Sequence, residues 1–169
     1  MNRMELIFEL AKPEEAAEIA NVLNAAAEHL SGKFGLGHWS RLVSEKGVLP
    51  GIGNTSRFLA AKQNGTIIGV LRLVQKKPWA IDPAYFTPCK RPLYLVDMAV
   101  IPEMQGKGVG RRLLEEAQKA ARAWPAQAIR LDAYDTEAGA GGFYLKCGWQ
   151  ERGRVVYRKA PLIYFEWML

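Results

Sequence analysis

The stretch from Leu93 to Trp124, LYLVDMAVIPEMQGKGVGRRLLEEAQKAARAW, constrains the fold more than any other part of the chain. It begins with a near-continuous apolar run to Val100, the pattern of a strand covered on both faces. Pro102 closes that strand. The stretch ends with Val109, Leu113, Leu114, Ala117, Ala120, Ala121 and Trp124 at helical spacing, and Pro125 as a stop. A buried strand leading into an amphipathic helix predicts a sheet with helices packed on it. Between the two lies Gln105-Gly106-Lys107-Gly108-Val109-Gly110. Glycines at alternate positions leave backbone N–H groups unshielded at a helix start. Those N–H groups lack intrahelical partners and sit at the positive end of the helix dipole, so they form a ready anion site. Lys107, Arg111 and Arg112 crowd the same turn. Cations at a helix N-terminus are unfavourable by some tenths of a kcal/mol each unless an anion docks among them.

The flanking sequence supplies the other elements. Glu5 to Ala11 reads as a first strand, and Lys12-Pro13-Glu14-Glu15 as a helix start with acids at the positive end. Helical spacing runs from Ala16 to Leu30, with Ser31-Gly32 as its end. Residues 31 to 39 form a glycine loop carrying Phe34 and His38. Trp39 to Lys46 reads as a second helix, broken by the Gly/Pro-rich run from Val48 to Ser56. Phe58 to Lys62 and Thr66 to Val74 form a hairpin around Asn64-Gly65, the favoured chemistry of a tight primed turn. Gln75 to Pro92 is a proline-rich loop with Trp79, Tyr85 and Phe86, which either line a pocket or cover the sheet. Ala128 to Ala133 is a strand, and Ala138 to Lys146 a short helix capped by Gly148. Trp149 to Arg154 and Leu162 to Met168 are strands around the bend at Arg158-Lys159-Ala160-Pro161. The predicted order is β-α-α-β-β-β-α-β-α-β-β.

Length and composition bound the rest. A chain of 169 residues fits one domain over residues 1–169, and 49% hydrophobic with 24% charged residues is ordinary for a globular protein. No apolar run reaches the roughly 18 to 20 residues needed to span a bilayer, so no membrane role is expected. Acids follow the short N-terminal apolar run directly, which argues against a signal peptide. Cys89 and Cys147 give neither metal spacing nor a disulfide framework, so a reducing cytoplasm and no metal are expected. The net charge of +6 reads either as a solvated basic surface or as attraction to an anionic ligand or an acidic partner. The basic residues are spread out and no nucleic-acid recognition motif is present, so nucleic acid is not an expected partner.

Three readings compete for the glycine turn. A phosphate-binding loop needs G-x-x-x-x-G-K-[ST], and no such run exists. A dinucleotide-binding turn needs G-x-G-x-x-G tightly after its strand; here the spacing is G-x-G-x-G, five residues beyond the strand, with Asp132 at about the distance of a ribose-binding acid. The third reading rests on three segments in order: Met98-Ala99-Val100-Ile101-Pro102 followed by Gln-x-x-Gly-x-Gly, the strand IRLDAYD, and Phe143-Tyr144-Leu145-Lys146-Cys147-Gly148-Trp149. In these the chain resembles the GNAT superfamily of N-acetyltransferases. The resemblance implies a single-domain GNAT fold of mixed α/β class, with a mostly antiparallel mixed sheet of six to seven strands and about four helices.

The resemblance also implies a chemistry. Gly106, Lys107, Gly108, Val109, Gly110 and Arg111 correspond to the turn whose amides hold the pyrophosphate of acetyl-CoA. Met98, Ala99 and Val100 correspond to backbone that pairs with the pantetheine arm. Tyr144 corresponds to the tyrosine that serves the leaving thiolate, its alternative being a core aromatic. Asp132 and Asp97 are the two candidate bases for the acceptor amine, each with the alternative of a salt-bridged structural acid, and many relatives have no dedicated base. A carboxylate inside the apolar run around Asp97 needs a partner or a cleft. The chain departs from the family in carrying Glu137 where many relatives have an asparagine six residues before the tyrosine. The glycine-rich run 138–142 implies either a late helix start or a backbone close to the cofactor. His29 and His38 form no cluster, and Cys147 is expected as a packed thiol. The expected activity is transfer of an acetyl group from acetyl-CoA to a small-molecule or protein amine by direct attack. A non-catalytic acyl-CoA-binding or sensing module is the alternative, and a homodimer is compatible with the family.

Overall fold

The computed structural model describes residues 5–169; Met1–Met4, on which the reading of the N-terminus as lacking a leader partly rests, lie outside the described residues. The elements are β1 (Ile7–Leu10), α1 (Ala16–Phe34), α2 (Glu45–Val48), β2 (Ser56–Gln63), β3 (Thr66–Val74), β4 (Pro92–Val100), α3 (Val109–Ala123), β5 (Ala128–Tyr134), α4 (Gly141–Lys146), β6 (Gln150–Tyr157) and β7 (Ala160–Met168). Their order is the one predicted from sequence. The strands form a seven-stranded sheet in the order β1-β2-β3-β4-β5-β7-β6, a mixed α/β fold with four helices. β1–β2, β5–β7 and β6–β7 are antiparallel, and β4–β5 is parallel. By contact the chain divides into two compact units. One comprises the residues up to Leu73 with Asp97–Ala117, the other Val74–Val96 with Gln118–Leu169.

The first unit is built on α1 and the β2–β3 hairpin. Ala16, Ile19, Ala20 and Val22 of α1 are buried with Phe58, Ala60, Ile67, Val70 and Ala99 in one core cluster. The hairpin turns at Asn64 (φ 51°) and Gly65 (φ 79°), the two positive dihedrals of the expected primed turn. Gly69 on β3 gives α3 its seat. A Cβ there would lie 3.0 Å from Leu113 Cδ1 and 3.3 Å from Val109 Cγ1, so a side chain at 69 would push the first turns of the helix away. Val109, Leu113, Leu114 and Ala117 are almost fully buried, and each large apolar side chain so placed contributes about 1.5–3 kcal/mol.

Two helix boundaries differ from expectation. α1 does not end at Ser31-Gly32 but continues to Phe34, and Gly35 at φ 81° ends it by donating its N–H to the Ser31 carbonyl. The predicted helix from Trp39 to Lys46 is absent apart from a single turn at His38–Ser40 and the short α2. The side chain of Asn24 explains this. It accepts from Val43 N and donates to Val43 O, both at 2.8 Å, which occupies the Val43 backbone as a ladder partner would. β4 also departs from full cover: Leu93, Tyr94 and Leu95 are buried, but Val96, Asp97 and Met98 are only half-buried.

The second unit packs around β5 and β7, which pair over seven residues from Ala128↔Met168 to Tyr134↔Leu162. The β4–β5 ladder in this unit covers only Pro92↔Ala128, Leu93↔Ile129 and Tyr94↔Arg130. The 75–91 loop is bound down by buried groups. The Tyr164 phenol donates to Ala80 O and accepts from Asp82 N, while Ile81 and Phe86 join Tyr94 and Tyr164 in a core cluster. Buried Glu166 accepts from Thr87 N at 3.2 Å and faces Arg130, whose Nε lies 3.4 Å away, within ion-pairing range but out of line for a hydrogen bond. Arg130 Nη2 donates to Thr87 O at 2.7 Å. Two buried charges are thus paired and tied to backbone, as burial requires. Phe86 and Tyr85 cover the sheet, whereas Trp79 is 81% exposed.

Candidate active site

In the first unit the chain leaves β4 at Val100 and bonds back to the hairpin through Ile101 N to Ile68 O at 2.9 Å. A single turn of helix at Pro102–Met104 follows, and then the glycine turn. Gln105, the first residue of the turn motif, reaches back and donates its side-chain amide to Val100 O at 2.9 Å. This fixes the distance between the end of β4 and the turn, a role the sequence did not assign to Gln105. Gly106 and Gly108 adopt φ 73° and φ 84°, conformations that L side chains rarely hold. A Cβ built on either meets no atom within 4 Å. Glycine is needed here for its dihedral, and its missing side chain leaves the space over the backbone open. Val109 then enters the core at 1% exposure and anchors the helix start. Lys107 and Arg111 stand exposed beside the turn. Arg112 does not join them as expected, because its guanidinium lies 5.0 Å over the Phe8 ring.

These groups can hold a pyrophosphate. The donors are main-chain amides at the positive end of a helix of fifteen residues, two exposed cations flank them, and nothing fills the approach. Met98, Ala99 and Val100 form the last residues of β4, with Ala99 buried and the other two half-buried. Asp97 is ion-paired with Arg72 at 2.7 Å, with side chains 36% and 31% exposed. The Arg72 guanidinium also lies 5.6 Å from the Phe58 ring centroid.

In the second unit Tyr144 sits on α4 and is buried. Its ring contacts Phe143, Trp149 and Phe165 at centroid distances of 5.4, 5.8 and 5.6 Å. Burial, then the charge of Asp132, then that of Cys147 push its phenol well above the usual tyrosine range, so it stays protonated and able to donate. Asp132, half-buried on β5, is itself raised above the usual carboxylate range by desolvation. Its charge also acts on Tyr134 and Tyr164, whose phenols are raised mainly by burial. Asp132 and Tyr144 are thus electrostatically coupled members of one unit.

The glycine-rich run before Tyr144 has a packing cause. A Cβ on Gly139 would fall 1.7 Å from the Tyr134 carbonyl oxygen, so only glycine fits where the chain folds back on the end of β5. α4 accordingly starts late, at Gly141. Glu137 lies outside any element. Cys147, half-buried and in no disulfide, closes α4. No group of three or more His, Cys, Asp or Glu among the described residues is placed to hold a metal, and no helix among them is long and apolar enough to cross a membrane.

Comparison with known proteins defines the class. The sequence model of the acetyltransferase (GNAT) family matches residues 23–149, three-quarters of the chain, and the chain belongs to this family. Solved structures share its fold. The yncA protein of Salmonella typhimurium with its cofactor acetyl-CoA is 19% identical, with a TM-score of 0.70 over 97% of this chain and 94% of that one. The paia N-acetyltransferase of Thermoplasma acidophilum, in complex with coenzyme A, is 17% identical, with a TM-score of 0.71 over 97% and 100%. The ribosomal-protein-alanine N-acetyltransferase of Brucella melitensis is 18% identical, with a TM-score of 0.73 over 96% and 99%. No sequence among the curated proteins matches the chain.

Proposed function

We propose that the chain is a single acetyltransferase domain that moves an acetyl group from acetyl-CoA to an amine acceptor. The observation that carries this reading is the Gly106–Gly110 turn, with two glycine-favouring dihedrals, open space above them and a long helix behind. The amides of Gly106 to Arg111 bind the pyrophosphate, and Lys107 and Arg111 add charge. Backbone groups of Met98, Ala99 and Val100 bind the pantetheine amides, with Gln105 holding the Val100 end in place. Bound acetyl-CoA supplies an activated acetyl group on a thioester. The amine nitrogen forms a bond to the acetyl carbon as the carbon–sulfur bond breaks. Asp132 takes the proton that the amine loses, a task for which its raised pKa suits it better than an ordinary carboxylate. Tyr144, protonated at physiological pH, donates its phenolic proton to the departing sulfur and is reprotonated from solvent as Asp132 releases the amine's proton to it. Asp97 is the other candidate base; its pairing with Arg72 favours Asp132. The reducing cytoplasm is the proposed location, in keeping with two cysteines that form no disulfide.

The test is release of free CoA from acetyl-CoA by the purified chain across a panel of small amines, amino acids and peptides with free N-termini. Turnover with any of them supports the transferase. Binding of CoA without turnover on any amine favours the sensing module.

A further inference from the structure

A cavity of about 250 Å³ lies within the second unit, at the first residues of β4 and the segment that follows α3. Gln75, Lys90, Arg91, Leu93, Trp124 and Pro125 line it. None of these residues has a part in the acetyl-transfer reading. The cavity is held open by a set of hydrogen bonds. The Gln127 side-chain carbonyl accepts from both Lys90 N, at 2.8 Å, and Arg91 N, at 3.0 Å. Gln127 N donates to Arg91 O at 2.9 Å, and Arg91 Nε donates to Pro125 O at 3.0 Å. This last bond ties the guanidinium through its Nε to the segment after α3 and uses neither of its Nη groups. Lys90 is exposed and lines the same wall as Arg91.

We propose that this cavity binds a small aromatic carboxylate. Its two cations call for an anion, and a guanidinium already fixed through Nε presents the paired Nη donors that match a carboxylate. The remaining wall of Trp124, Leu93 and the prolines is apolar and contains one aromatic surface, so the body of the ligand is a flat ring rather than a polar group. The volume lies below the roughly 300–1,000 Å³ of drug-sized sites, which limits the ligand to about one ring with its acid group. A ligand of that size binds in the millimolar range.

The test is titration of the full chain with benzoate, cyclohexanecarboxylate and inorganic phosphate, followed by NMR of the Trp124 indole N–H, which is assigned by its loss in Trp124→Phe. Benzoate is expected to shift this resonance saturably and to bind more tightly than the other two. Lys90→Gln and Gln75→Glu both alter exposed side chains and leave the fold intact, as an unchanged melting temperature checks. Each should weaken benzoate by about ten-fold. Absence of saturable binding overturns the proposal, as does benzoate affinity that neither substitution changes. Phosphate binding as tight as benzoate, or cyclohexanecarboxylate binding as tight, overturns the aromatic carboxylate in favour of a plain anion site or a plain apolar one.

Discussion

At the turn from Gly106 to Gly110 the groups on offer are backbone amides in the open; around Tyr144 they are side-chain groups under cover. The first region needs no particular side chain at Gly106 or Gly108, only a dihedral and an empty approach. The second depends on neighbours: burial and the Asp132 charge set how tightly the Tyr144 phenol holds its proton, well above an exposed tyrosine. On the proposed function, binding of the phosphates rests on the local chain, while the proton chemistry rests on packing. Substitutions should separate the two, with binding lost at the turn and turnover lost at the aromatic cluster.

The largest effect is expected at the turn. Gly108→Glu introduces a carboxylate at the start of α3, where a bound pyrophosphate would meet it. It should weaken CoA binding by about a thousand-fold, since several charge-assisted bonds are lost at once. The positive dihedral adds a stability cost of about 1–2 kcal/mol, and calorimetric titration with CoA on a folded variant separates the two effects. Unchanged CoA affinity would remove the turn from the site.

Next is the aromatic cluster. Tyr144→Phe keeps the ring that packs on Trp149 and Phe165 and removes only the hydroxyl. Turnover should fall by about a hundred-fold with CoA affinity and melting temperature little changed. Equal turnover would make Tyr144 a packing residue and dissolve the contrast between the two regions.

The contrast also explains what was legible from sequence. The apolar run of β4, the stripe of α3, the Asn64-Gly65 hairpin and the glycine turn are local patterns, and each stands where the sequence places it. The absence of a helix at Trp39–Lys46 is not legible locally, because it depends on Asn24 meeting Val43 nineteen residues away. Arg112 looked like a phosphate ligand until Phe8 was found beneath it. The glycine-rich run 138–142 leaves a late helix start and a backbone close to the cofactor equally open; α4 starts late, at Gly141, with Gly139 packed against the Tyr134 carbonyl. Asp132 and Asp97 were indistinguishable as letters. Only packing shows one desolvated and coupled to Tyr144, and the other paired with Arg72.

Asp132→Asn sharpens the comparison inside the second unit. Its carboxyl holds its proton more tightly in the folded chain than in the unfolded one, because burial penalises the charge. The folded state therefore loses stability as pH rises from the ordinary aspartate range through the raised folded value, and it bears the full penalty above that. Replacing the acid with a neutral amide removes the penalty, so the variant should melt higher than the parent at neutral pH, with the difference vanishing in acid. Turnover should fall by about ten-fold at the same time. A variant that is less stable at neutral pH would show that the carboxylate has a partner that compensates its burial.

The smallest effect is expected at Arg72, and it decides between the two acids. The Arg72–Asp97 pair is about one-third exposed on each side, so solvent screens it and its loss costs under about 1 kcal/mol. If Asp97 is only the counter-ion of Arg72, then Arg72→Gln, Asp97→Asn and the double variant should all lose the same small amount of stability, with turnover unchanged. A double-mutant cycle in melting temperature and in kcat/KM for the amine tests this. If Asp97 acts on the acceptor, Asp97→Asn lowers kcat/KM in both the parent and the Arg72→Gln background, while the stability cycle stays the same. That result would move the proposed acid–base chemistry from the buried region of the second unit to the half-open end of β4.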